Sequence, residues 1–402
     1  MNGGPTLRTA IGLAIVLGLL AAVPPASAAT GPVKIGIFLS YTGPTNPQAV
    51  DLTRGFELYL AKVGGKAGGR ELAIIKEDTE AKPDVGLTKV KKLVERDGVD
   101  ILMGPVSSAV GLAIRPYVQA QGVPLVIPLA FTRELTAPGR NIPSAFRLVE
   151  TTDQSNFPMG GWMVKHTPHR KLIVMATDWV AGRHSADAFM AGFKAAGGQV
   201  VKEIYSPLNT ADYAPYLAQL TAIPADAVWA WFAGADAIRF VKQYQEYGLK
   251  GKLPLYGYNT LTDDVILPAI GEAALGIITV GHYTAAIETP VNKAFVQEYE
   301  RKYNIWPSRY SEVGYVAAQL IVAAVEDLKG NVADRAKVRE ALRGAVERIQ
   351  PPRGPIKFDQ YQQVITDVYI TKVERWGTRL VNAIVERIPE TRQEDTWKWW
   401  NK

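Results

Sequence analysis

VDILMGPVSSAVGLAIRPYVQAQGVPLVIPLAFTREL, residues Val99 to Leu135, is the stretch that decides how this chain folds. Val99–Met103 is a short apolar run halted by Gly104-Pro105, the pattern of a buried strand entering a tight turn. Ser107 and Ser108 then open a helix with Val110, Ile114 and Tyr117 spaced along one face. Pro116 falls inside that pattern and should kink or shorten the helix, which Gly122 ends. Pro124–Ile127 gives the next strand, and Pro128 breaks it into a turn carrying Ala130, Phe131 and Thr132. Strand, turn, helix and strand in this order form the unit of a parallel sheet.

In an open parallel sheet, ligands bind outside the carboxyl ends of the strands, where these turns lie. The hydroxyls of Ser107 and Ser108 and the free N–H groups of the helix start would converge there, with the helix dipole favouring negative charge. A charge-assisted hydrogen bond contributes about 1.5–3 kcal/mol, so a few of them would hold a carboxylate. The plainer alternative is that a serine here only caps the helix.

The same alternation runs along the rest of the chain. Val33–Leu39 reads as a first strand with Ser40–Pro44 as its turn, followed by a helix burying Leu52, Phe56, Tyr59 and Val63. Glu71–Asp78 is a strand and Pro83–Asp97 a helix. Phe146–Leu148 with Thr151–Gln154 reads as a crossing, after which strands are expected over Lys171–Ala176, Gln199–Tyr205, Ala227–Phe232, Leu253–Tyr258 and Gly276–Gly281, with helices between. Three helical segments follow Thr289, and Gln350–Pro355 breaks the chain before two last strands, Ile356–Phe358 and Val364–Glu374. The expected fold is α/β: two doubly wound parallel-sheet lobes joined by a hinge. Residues 31–149 with 284–349 would make one lobe, and 150–283 with 350–402 the other. The second lobe places aromatic residues at its turns. Trp179 lies past its strand and should face the cleft, whereas Trp229 and Trp231 share one strand face, where one or the other reads as core, with Phe232 on the opposite face.

Residues 1–28 have the parts of a secretory leader: Arg8, the apolar run Ile11–Val23, and Ala26-Ser27-Ala28 as a cleavage site. Pro24-Pro25 cut the run too short for a membrane anchor, and the chain has no cysteine for a lipid anchor or a disulfide. The expected mature chain is therefore exported to an oxidising compartment, without membrane insertion. Lys and Arg total 45 against 39 Asp and Glu. That mild excess could draw in an anionic solute but forms no basic cluster interleaved with aromatics, so no nucleic-acid partner is expected. Enzyme tools are missing as well: no dinucleotide or phosphate loop, no nucleophile elbow, no thiol. His166 and His169 are separated by Pro168 in a loop-like stretch and make a poor metal pair, so no metal or cofactor is expected. Trp397, Trp399 and Trp400 in the tail read as a strap over one lobe.

Gly104, Ser107, Ser108, Val123-Pro124, Ile127-Pro128, Ala130 and Glu134-Leu135 together resemble the ligand-clamping segment of the periplasmic branched-chain amino-acid-binding proteins, the solute receptors of ABC importers. The resemblance implies a non-catalytic receptor that closes two lobes on a solute and delivers it to a membrane permease. It makes Tyr41 and Thr42 of the first turn candidates for the cleft. In that family the turn at Tyr258-Asn259 commonly supplies a Glu that pairs with a ligand ammonium; here it is Asn259, with Asp263 and Asp264 close by. A neutral amide cannot neutralise a buried cation. This departure points to a carboxylate without an amino group, stacked on Trp179, Phe131, Phe232 and Tyr283. The alternatives are a branched-chain amino acid or amide, or a soluble sensor domain of the same fold.

Overall fold

The computed structural model describes residues 31–397 together with 1, 3 and 4. The rest of the leader, and Trp399 and Trp400 of the tail, lie outside the described residues.

The first sheet holds β1 (Val33–Leu39), β2 (Lys66–Ala67), β3 (Arg70–Asp78), β4 (Ile101–Met103), β5 (Leu125–Ile127) and β6 (Ala145–Arg147) in the order β2-β3-β1-β4-β5-β6. All its neighbours run parallel except the short β2. Between the strands lie α1 (Asn46–Lys62), α2 (Pro83–Lys91) and α3 (Ser108–Gln121). The second sheet repeats the plan with β7 (Lys171–Thr177), β8 (Gln199–Ser206), β9 (Ala227–Trp231), β10 (Leu255–Tyr258) and β11 (Ile278–Gly281) in the parallel order β8-β7-β9-β10-β11. Helices α4 (Thr152–His166), α5 (Val180–Ala195), α6 (Ala214–Leu220), α7 (Gly234–Glu246) and α8 (Leu267–Ile270) cover it.

Helices α9 (Pro290–Tyr303), α10 (Arg309–Asp327) and α11 (Arg335–Ala345) return to the first lobe. There α10 crosses α1 at backbone contact: a Cβ on Gly55 would lie 1.8 Å from the Ser311 carbonyl oxygen, and one on Gly314 would lie 2.0 Å from that of Leu52. The chain then adds β12 (Lys357–Phe358), β13 (Val364–Trp376) and β14 (Arg379–Thr391) to the second sheet as antiparallel strands. The chain thus passes between the sheets three times, after β6, after β11 and after α11.

Several boundaries differ from the sequence reading. The helix after Ser107 runs through Pro116, because that residue sits on the solvent face, where a missing N–H leaves only an exposed carbonyl behind. Phe146 and Arg147 belong to a strand, so the first crossing starts at Leu148, two residues later than read. The long β14 went unread, since its burial follows β13 rather than any apolar run of its own. Trp397 packs edge-on against Tyr361 at 5.6 Å.

Candidate functional site

Each lobe carries the order 2-1-3-4-5, which reverses direction beside its first strand and opens a crevice there. The two crevices face each other across a small cavity lined by residues of both lobes. The first lobe lines it with Thr45 and Gln48 at the start of α1, Val106 and Ser108 at the start of α3, Leu129 and Phe131 after β5, and Tyr310 on α10. The second lobe supplies Trp179 and Ala181 at the start of α5, Trp231 and Ala233 at the end of β9, and Thr260 after β10. The lobes are closed on one another. Phe131 meets Tyr258 edge-on at 5.7 Å, Thr132 Oγ1 lies 3.0 Å from His184 Nδ1, and Arg133 Nη2 lies 3.1 Å from Asp153 Oδ1.

Three helices begin at this cavity without a side-chain cap: α1 at Thr45, α5 at Trp179 and α7 at Ala233. Their first-turn N–H groups and dipoles therefore make the space favourable to negative charge. Thr45 Oγ1, Gln48 Oε1 and Thr260 Oγ1 are buried with no hydrogen-bond partner in the protein. Leaving such an atom unmet costs about 1–3 kcal/mol, so a solute with matching polar atoms would stabilise the closed form. Ser108 Oγ accepts the Thr132 N–H at 3.3 Å, which leaves the hydroxyl proton available to a carboxylate. Among the described residues lining the cavity there is no Asp, Glu, Lys or Arg.

Of the candidates read from sequence, Ser108, Phe131 and Trp179 line this space. Ser107 instead caps α3 through the Val110 N–H at 3.4 Å. The amide of Ala130 is engaged by the Val106 carbonyl at 3.1 Å, with Ala130 itself at φ 63°, and the Thr132 amide is the one held by Ser108. Tyr41 bonds Thr53 at 3.0 Å, and Thr42 bonds Asp78 at 2.7 Å. They stiffen the first turn, and Thr45 and Gln48 just beyond it reach the cavity. Phe232 points away, as strand alternation requires, and packs under α7 against Phe240 at 4.2 Å. Tyr283 is buried against Phe295 and donates to Asn292 at 2.8 Å. Asn259 gives its side-chain oxygen to Arg309 and packs on Gly281, where a Cβ would lie 2.1 Å from its amide nitrogen.

Trp229 is core, stacked on Phe189 at 4.6 Å, and Trp231 is buried in the same cluster while also reaching the cavity. It closes β9 at the cavity edge and meets Trp179 at 6.4 Å.

Behind the cavity, where the chain crosses between lobes, lies a buried charged network. Glu150 accepts from the Tyr258 hydroxyl at 2.6 Å and lies 2.6 Å from His282 Nδ1. Glu312 pairs with Arg353 at 2.6 Å, and Arg353 donates to the Leu148 carbonyl at 2.9 Å. Burial holds His282 down at about 3, while nearby His282 and Arg309 hold Glu150 below the usual carboxylate range. Asp263 bounds a smaller space beside the cavity, with Gln48 and Tyr310, and burial plus the neighbouring Asp264 push it up to about 8. Glu150, His282, Glu312 and Arg353 were not legible in sequence, because they converge from separate segments of the chain.

The model of the family described as "Periplasmic binding protein" matches residues 32–378. A Leu/Ile/Val-binding protein homologue from Brucella melitensis is 29% identical over 348 residues, 85% of this chain and 88% of its own. An ABC transporter substrate-binding protein from Sphaerobacter thermophilus superposes with a TM-score of 0.84 at 33% identity, covering 90% of this chain and 98% of its own. A solute-binding protein of an ABC transporter from R. palustris, solved in complex with benzoate, gives 0.82 at 30% identity over 89% and 98%.

Proposed function

Given that this chain belongs to the periplasmic binding protein family, we propose that it captures a small aromatic carboxylate between its lobes for delivery to the permease of an ABC importer. As a substrate-binding protein related to the Leu/Ile/Val-binding proteins, it needs a site that grips and releases rather than one that reacts. The observation that carries the ligand reading is the cavity's make-up: two tryptophans, uncapped helix starts, Ser108, and no acidic lining residue among those described. The carboxylate would take the Ser108 hydroxyl proton, and the ring would lie against Trp179, Trp231 and Phe131. The benzoate carried by the R. palustris relative supports the same assignment. Closure would be a hinge motion about the three crossings, with lobes bounded near 149, 284 and 349. The leader would bring the chain to the periplasm.

One observation favours a second reading. Asp263 stands beside the cavity, and an amino-acid ligand whose ammonium reached it past Gln48 and Tyr310 would gain a counter-charge once that carboxyl gave up its proton. A thermal-shift panel separates the two. Benzoate and 4-hydroxybenzoate should raise the melting temperature, since a ligand at a hundred times its Kd adds about 2.7 kcal/mol. A response to leucine or valine and none to the aromatic acids would overturn the assignment in favour of the Asp263 reading.

A further inference from the structure

The cavity and the charged network at the crossings meet at one residue. Arg309 opens α10, and its helix start is fixed to the first lobe: Ser308 and the Ser311 N–H both bind Asp51 of α1, the latter at 3.1 Å. Its guanidinium, fully buried, reaches into the second lobe. One nitrogen donates to the Tyr258 hydroxyl at 2.6 Å, and another donates to the side-chain oxygen of Asn259. The Glu150 carboxylate of the first crossing lies 3.7 Å from the same group. The carbon of the guanidinium lies 4.7 Å from the Phe131 ring centre and 4.8 Å from that of Tyr258, so it occupies the seam between a first-lobe ring and a second-lobe ring.

Three cavity residues touch or adjoin this group. Phe131 lies against the guanidinium, Tyr310 is the next residue of α10, and Thr260 follows Asn259. A solute that fills the cavity therefore fixes the residues that fix Arg309. Conversely, separating the lobes withdraws Asn259 and Tyr258 and leaves a guanidinium that must find water or Glu150 alone.

We infer that Arg309 is the positioning residue that couples lobe closure to occupation of the cavity, a bridge from the first lobe into the second that is complete only when the two are shut. The inference rests on the reading that the solute binds in this cavity. It assigns Arg309 no contact with the solute. Its effect should appear in how long the solute is retained rather than in how fast it enters.

The chain has no cysteine, so an introduced pair can be spin-labelled without background. Thr88→Cys on α2 and Glu246→Cys on α7, both exposed, report the lobe separation. In this background Arg309→Met, and Arg309→Lys, which keeps the charge but loses the planar fork, should lose population at the short distance with or without benzoate. Stopped-flow tryptophan fluorescence should show benzoate leaving tenfold faster or more, with its association rate changed less than threefold. Asn259→Ala removes one of the two second-lobe acceptors and leaves the arginine in place; it should move both readouts in the same direction, which guards against misfolding of the arginine variants. Unchanged distances and an unchanged dissociation rate in these variants would overturn the inference. If the native chain ignores benzoate, the ligand reading fails, and the ligand-free distances still decide the role of Arg309.

Discussion

The wall that the first lobe gives the cavity carries Thr45, Gln48 and Ser108, with Phe131 and Tyr310 as its rings, whereas the second-lobe wall sets Trp179 and Trp231 beside Ala181, Ala233 and Thr260. Both walls are made from the same topological place, the carboxyl ends of parallel strands on either side of a reversal in strand order. They differ in what each turn was filled with. Hydroxyl and amide groups at the first lobe can fix the charged end of a solute, and the indoles of the second can cover a flat apolar body. The contrast shows that one fold repeated twice yields two chemically different walls, and a solute bound between them would be oriented by which lobe its charged end meets.

The largest test of this contrast removes the aromatic wall. Trp231→Ala should weaken benzoate by about 2–4 kcal/mol, through lost apolar burial and ring stacking. Calorimetry would show it, and the preference for acids over amino acids should survive. A loss of that preference would mean that the tryptophan wall, rather than the first lobe, selects the charge.

Ser108→Ala comes next. It should cost about 1–3 kcal/mol for every carboxylate tested, whatever its ring, because one partner of a buried charge-assisted bond is gone. The Thr132 N–H also loses its acceptor, so a small fall in melting temperature should accompany the change. A penalty confined to one ring type would place the carboxylate elsewhere.

A last test is a pH slope. Asp263 is held protonated up to about 8 by burial and by Asp264. A carboxyl raised in the folded state stabilises it fully below its ordinary value and loses that contribution as pH rises through the raised one. Between pH 5 and 8.5 the native protein should therefore lose melting temperature relative to Asp263→Asn. A difference between the two that stays constant with pH would show that Asp263 is already ionised, and would sharpen the case for a cationic group in the solute.

How much of this could be seen beforehand follows from the range of the forces involved. The strand–turn–helix units were legible because apolar runs and glycine or proline breaks act over a few residues, as Val99–Leu135 shows. Trp179 was legible because it lies past its strand, and Ser108 because it opens a helix. Phe232 was misplaced although its alternation was read correctly: facing away from Trp231 put it under α7 instead of in the cleft. Ser107 had two roles available, and the cap prevailed. Thr45 and Gln48 gave a faint signal in hindsight, a threonine at a helix start whose hydroxyl caps nothing. Arg309, Glu150 and His282 gave none, since what defines them is a meeting of distant segments at the crossings.

The account stands most directly on the claim that the cavity accepts a carboxylate and has no counter-charge for an ammonium. Calorimetry on the native protein with 3-phenylpropanoate and phenylalanine, which share a ring, a chain length and a carboxylate, isolates that one group. The acid should bind at least tenfold more tightly, because the ammonium would be desolvated beside Trp231 and Ala233 without an ionised partner. Equal affinity, or tighter binding of phenylalanine, would contradict the account.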